Sequence, residues 1–284
     1  MSLPRDTLAL RLLYAAFGAT AFVLYRLFGL RRDVVRGNLA RSFPGWPVER
    51  LREVEREFVR LQGELAAEVV YASRIPAGEL RARVSIANPE VLAAAQPPRP
   101  TIFVGAHHGN FEWMLQRVSL ELGGQLAGLY KPIGNPRVDG WFRRMRSRFG
   151  ARLVPAKSVL SELARMRDIA AIGLVADQVP RTSPEKHWVR FLEQDTAFYM
   201  GAELLGRALR SRVCLVRMRR LARGRYEIEF EPLNEPGEKL PNGEITSRYA
   251  KALERWIREE PAGWWWAHKR WKLEKGVGPR GARG

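Results

Sequence analysis

From residue 101 onward, short apolar runs alternate with helix-patterned segments, and no other feature of the chain restricts its fold as much. Strand-like runs occupy residues 101–105 (TIFVG), 125–130, 151–154, 169–175, 213–218 and 226–230. Between and after them, residues 111–121, 139–149, 158–167, 197–209 and 245–259 carry helical spacing. Such alternation predicts an α/β fold with a mixed, largely parallel sheet flanked by helices. The chain has 284 residues, 46% of them hydrophobic, which is ample material for the core of such a sheet. Its single cysteine, Cys214, excludes an internal disulfide and any thiolate zinc module.

The first hundred residues read differently. Residues 12–25 (LLYAAFGATAFVLY) form a 14-residue uncharged run between Arg11 and Arg26, shorter than the roughly 20 residues a bilayer span needs. On a helix, Thr7, Arg11, Tyr14, Gly18, Tyr25, Arg26 and Gly29 fall along one side. This predicts a membrane-associated helix lying in, or dipping into, the interface. A buried core helix and a signal peptide are the alternatives, and no small-x-small cleavage site follows the run. A break at FPGWP precedes a long amphipathic helix over residues 48–73. The expected organisation is a membrane anchor with a basic juxtamembrane segment (1–44), a catalytic domain (45–275) and a disordered tail (276–284).

Charge follows the same division. The net charge is +18, and residues 1–44, 131–152 and 261–284 supply +5, +6 and +5 of it. The partners implied are anionic. Basic flanks on an apolar helix suit anionic lipids of a cytoplasmic leaflet. Trp264, Trp265 and Trp266 beside Lys269, Arg270, Trp271 and Lys272 read either as core aromatics or, as the basic neighbours favour, as a second, interfacial belt. A nucleic-acid binder would carry its charge on a recognisable motif, and none is present.

Chemistry concentrates in GAHHGNFEW, residues 105–113, which leaves a strand and opens a helix where α/β folds place ligands. Asn110 suits the N-cap of a helix starting at Phe111. Spacing leaves two pairings open. His108 lies four residues before Glu112, the helical partner distance, whereas His107 reaches Glu112 only if the chain turns at Gly109–Asn110. A carboxylate holding one imidazole nitrogen would leave the other as a general base toward a hydroxyl. The spacing is not that of a HExxH metal site, and no metal is expected.

The His107–Glu112 spacing resembles the HxxxxD/E motif of the glycerolipid and lysophospholipid acyltransferases. A wider, ordered set of landmarks resembles the lipid A biosynthesis (lauroyl/myristoyl) acyltransferases and the related phosphatidylinositol mannoside acyltransferase. These landmarks are the N-terminal apolar segment, RRDVVRGNLARSFP, GAHHGNFEW, LYKPIGNPRVD, GLVADQ and PAGWWWAHKRWK. Three positions depart from the usual pattern: His108 replaces an aromatic residue, Phe111 a tryptophan, and Lys131 the arginine of Tyr-Arg-Pro.

The resemblance implies transfer of a fatty acyl chain from a thioester of acyl carrier protein or coenzyme A to a hydroxyl of a lipid or glycolipid acceptor, as in lipid A biosynthesis, with no other cofactor. His107 would be the base and Glu112 would orient it. Lys131, Asn135, Arg144, Arg146, Arg148, Asp177 and Gln178 are the expected substrate-binding residues. Acyl carrier protein is acidic and would suit the basic 131–152 segment. The implied location is the cytoplasmic side of the inner membrane. An acyltransferase for a different lipid acceptor is the alternative within the same chemistry. A non-catalytic membrane-binding relative is the competing class, and retention of both His107 and Glu112 argues against it.

Overall fold

The computed structural model describes residues 6–180 and 185–275, so the tail expected over 276–284 lies outside the described residues. The strands are β1 (Val84–Ile86), β2 (Thr101–Gly105), β3 (Leu126–Tyr130), β4 (Arg152–Pro155), β5 (Ala171–Val175), β6 (Lys186–Phe191), β7 (Gln194–Tyr199), β8 (Val213–Ala222) and β9 (Arg225–Pro232). The helices are α1 (Leu8–Arg26), α2 (Arg32–Ser42), α3 (Val48–Tyr71), α4 (Ala77–Arg83), α5 (Glu90–Ala93), α6 (Phe111–Leu122), α7 (Pro136–Arg146), α8 (Val159–Arg165), α9 (Gly201–Leu209) and α10 (Glu244–Glu259).

Seven strands form one sheet in the order β1-β9-β8-β2-β5-β3-β4. All neighbours in it are parallel except the β8–β9 hairpin. This is the mixed, largely parallel α/β sheet that the alternation predicts. β2 is buried along its whole length and feeds a core on each face. Ile102 and Val104 pack with Leu253, Trp256 and Trp264, while Phe103 packs with Trp113, Val118 and Phe230.

One expected element is wrong. The pattern over residues 197–209 predicts a single helix, but β7 runs through Tyr199 and α9 starts only at Gly201. Leu192 and Glu193 both take left-handed conformations (φ 47° and 61°), closing a two-residue turn that pairs β7 back onto β6. The return strand buries Thr196, Ala197 and Phe198. α2 was not foreseen either. It buries Val35 and Leu39, and its Asn38 amide donates to the carbonyls of Trp266 (2.8 Å) and His268 (2.9 Å).

α1 is docked along α3 rather than standing free. Its Tyr14 and Tyr25 hydroxyls donate to Glu68 (2.8 Å) and Glu55 (3.0 Å) of α3. Between them the helices nearly touch: a Cβ on Gly63 would lie 3.0 Å from the Gly18 Cα. The side carrying Tyr14, Gly18 and Tyr25 is therefore the docking side, and the apolar side faces outward, exposing Leu8, Leu12, Phe22, Leu27 and Phe28. By length and composition α1 could cross a membrane.

The C-terminal tryptophans do the opposite. Trp264 and Trp266 are buried, and only Trp265 is exposed, at 40%. They are core aromatics, not an interfacial belt. The reason is hydrogen bonding as well as area: the Trp264 indole donates to Asp177 and the Trp266 indole to the Pro261 carbonyl, satisfying both N–H groups away from water.

Candidate active site

The parallel register of β2 and β5 aligns Gly105 with Val175. Two residues beyond each, the chain places His107 and Asp177 side by side. The His107 Nδ1–H donates to Asp177 Oδ1 (2.7 Å). Asp177 Oδ2 accepts from the His107 backbone N–H (3.1 Å) and from the Trp264 indole N–H (2.9 Å). Burial alone would raise the Asp177 pKa, but the adjacent imidazole and these donors bring it down to about 2. Burial likewise pushes His107 down, and the Asp177 charge outweighs it, leaving His107 above its ordinary value. The second ring nitrogen, Nε2, receives only the Gln178 side-chain amide among the described residues, at 3.3 Å. The His107 side chain is about one-fifth exposed.

Glu112 does not hold the His107 ring, as the motif reading expects. Asn110 caps α6 by accepting from the Trp113 N–H at 3.0 Å, and Glu112 in the first turn faces Arg146 at the end of α7. The Arg146 Nε donates to both carboxylate oxygens, at 3.2 and 2.9 Å, and Nη2 adds a third bond. A guanidinium matches a carboxylate in fork geometry better than an imidazole can. Both charges still act on His107: Glu112 raises its pKa and Arg146 lowers it.

His108 is not a second candidate base. It is buried, its Nε2–H donates to the Glu260 carbonyl (2.9 Å), and its ring lies 4.1 Å from that of Trp256. Burial drives its pKa down to about 3. A Cβ on Gly263 would come within 2.4 Å of this ring, so PAGWWW needs glycine there. The same segment pairs with the histidine turn, as Gly109 N–H donates to Gly263 (3.1 Å) and Trp265 N–H to His107 (2.9 Å).

The other expected substrate contacts divide. Asp177 and Gln178 join His107, and Arg146 joins Glu112. Asn135 is the N-cap of α7, accepting from Arg137 and Val138. The Arg148 Nη1 donates to the carbonyls of Ala72 and Ile75 beyond α3, each at 3.0 Å. Lys131 and Arg144 are exposed, with no ion pair among the described residues. Sequence reasoning missed Trp264 as the third donor to Asp177. Its signal was a tryptophan run too short and too close to Gly263 to form an amphipathic face.

A search of curated proteins gives no match. The sequence profile of the bacterial lipid A biosynthesis acyltransferases matches residues 4–273, nearly all of the chain. On that match, with the α/β sheet and the strand-end histidine beneath it, the chain belongs to the bacterial lipid A biosynthesis acyltransferase family and is an acyltransferase.

Proposed function

We propose that the protein moves a fatty acyl group from a thioester of acyl carrier protein or coenzyme A to a hydroxyl of a lipid A precursor. The observation that carries this reading is the asymmetry of His107. Asp177 accepts a hydrogen bond from the Nδ1–H, so the lone pair stays on Nε2, which among the described residues is approached by the Gln178 amide alone. That is the tautomer a general base toward an alcohol requires.

The acceptor O–H gives its proton to Nε2 as its oxygen bonds to the thioester carbonyl carbon. The carbonyl π pair moves onto oxygen, and the imidazolium formed is held beside the ionised Asp177. When the C=O bond re-forms, the C–S bond breaks and the thiolate takes the proton from Nε2, restoring the base. Glu112 fixes Arg146 beside the ring, and the guanidinium there suits the developing oxyanion or a phosphate of the acceptor. Lys131, Arg137, Arg143 and Arg144 are exposed on and just before α7, the helix that ends in Arg146, a basic segment suited to steering an acidic carrier protein.

The same reading places the outward side of α1 in the cytoplasmic face of the inner membrane. Of the thirteen large apolar side chains exposed among the described residues, eight lie between Leu8 and Leu30, with Arg11, Arg26 and Arg31 exposed at their border. Because α1 is fastened to a charge-rich α3, a helix lying along the surface fits better than one crossing it. Lipid extracts from cells making the full chain or its His107→Ala variant test the chemistry by mass spectrometry. A lipid A precursor should gain one fatty acyl mass with the wild type and none with the variant. An unchanged acylated product in the variant would refute the assignment of the base. Sedimentation of the purified chain with anionic vesicles tests the membrane reading.

A further inference from the structure

Beneath the site lies a carboxylate that the transfer chemistry does not use. Glu68 is fully buried in α3, and its two oxygens gather three donors from three elements. Oε1 accepts from the Tyr14 hydroxyl of α1 (2.8 Å), and Oε2 from the Asn110 amide (2.7 Å) and the Tyr226 hydroxyl of β9 (2.7 Å). Its backbone carbonyl also accepts from the Trp113 indole, at 3.0 Å. Glu68 thus grips α6 twice, at the N-cap and in the first turn.

Asn110 is the joint of this arrangement. Its oxygen caps α6 at Trp113 while its nitrogen is held by Glu68, so the amide has one orientation available. The next two residues touch the site directly. The Phe111 ring lies edge-on to His107 with centroids 5.0 Å apart, and Glu112 holds Arg146. We infer that Glu68 is a positioning residue for the acyl transfer reaction, registering the loop from His107 to Glu112 against the docked helix α1. On this inference, which rests on the function proposed above, α1 is part of the catalytic frame and not only a membrane contact.

The test uses the full chain in mixed micelles, with a fatty acyl thioester of acyl carrier protein and a lipid A precursor. Glu68→Gln keeps the side-chain size but leaves one accepting oxygen for three donors. Asn110→Ser keeps a capping oxygen but removes the amide donor. Each should lower kcat on the order of tenfold to a hundredfold, with KM for the thioester changed less than about twofold. Because both act through one joint, the double variant should be no slower than the worse single one. Tyr14→Phe, which removes only the α1 donor, should lower kcat by about threefold.

A purely structural role would lower the melting temperature and leave kcat of the folded enzyme intact. That result, or losses that simply add in the double variant, overturns the inference. If Glu68→Gln does not survive purification, Asn110→Ser and Tyr14→Phe decide it by the same kcat criterion. His107→Ala serves as the reference. Activity retained in that variant removes the underlying reading, whereas an inactive His107→Ala beside a fully active Glu68→Gln removes only the role of Glu68.

Discussion

The His107–Asp177 pair and the Glu112–Arg146 pair lie within electrostatic reach of each other, yet they are assembled by different means. The first joins the ends of two neighbouring parallel strands, β2 and β5, whose register leaves no freedom at Gly105 and Val175. The second joins the start of α6 to the last residue of α7. Asp177 is surrounded by donors and made strongly acidic, so it serves a ring that must gain and lose a proton. Glu112 is committed to a guanidinium that never titrates in the working range, so it serves a fixed positive charge. Two buried carboxylates in one site thus divide the work: one tunes a base, the other anchors a charge.

Asp177→Asn is the harshest way to break this comparison. An asparagine can donate its amide to Nδ1, which would move the ring proton to Nε2 and abolish the base. Losing the partner carboxylate of a catalytic histidine should lower kcat by about ten-thousandfold. The pH dependence carries a sign. Asp177 holds the His107 pKa up, so the unprotonated base accumulates only as pH rises past that raised value. With Asp177 neutral, burial and Arg146 dominate, and the residual activity should rise at lower pH than in the wild type. Stability gives an independent readout. Because the folded Asp177 pKa is depressed from 3.8 to about 2, its stabilising contribution is present above 3.8 and disappears as pH falls toward about 2. The variant should lack that acid limb in a pH series of melting temperatures.

Glu112→Gln should cost less, on the order of tenfold to a hundredfold in kcat, because the base keeps its tautomer while Arg146 loses its anchor. The rising limb of its pH profile should move slightly down, since one negative charge that raises His107 is gone. A loss at Glu112 larger than at Asp177 would reverse the division of work and restore the carboxylate of the motif as the partner of the base.

How much of this was legible beforehand depends on whether a contact is local or set by sheet order. The β2 strand, the Asn110 cap and the start of α6 follow from a dozen consecutive residues, and the structure has them where the sequence predicts. Asp177 is seventy residues from His107. Its placement at the same strand ends could be anticipated, but its contact with the ring required β5 to lie directly beside β2, an adjacency no local pattern encodes. The two greasy ends of the chain make the same point. Residues 12–25 and 264–266 both combine apolar surface with neighbouring arginine or lysine. α1 keeps its apolar side outward because α3 takes the tyrosines, while Trp264 and Trp266 turn inward because Asp177 and Pro261 accept their N–H groups. Composition alone could not separate the two cases.

His108→Ala probes the smallest expected effect on chemistry, and it sharpens the contrast between a base and its immediate neighbour. The substitution removes a buried ring from Trp256 and leaves the Glu260 carbonyl without its donor. Loss of packing together with an unsatisfied carbonyl should destabilise the fold by about 2–4 kcal/mol, measurable by denaturant unfolding. Yet His108 already sits neutral across the working pH range, with its pKa near 3, so its removal subtracts no titration from the reaction. Folded His108→Ala should therefore keep the wild-type midpoint on the rising limb and lose no more than a few-fold in kcat, through slight displacement of the turn at Gly109. A shifted midpoint with unchanged stability would make His108 the proton acceptor and leave Asp177 orienting the wrong imidazole.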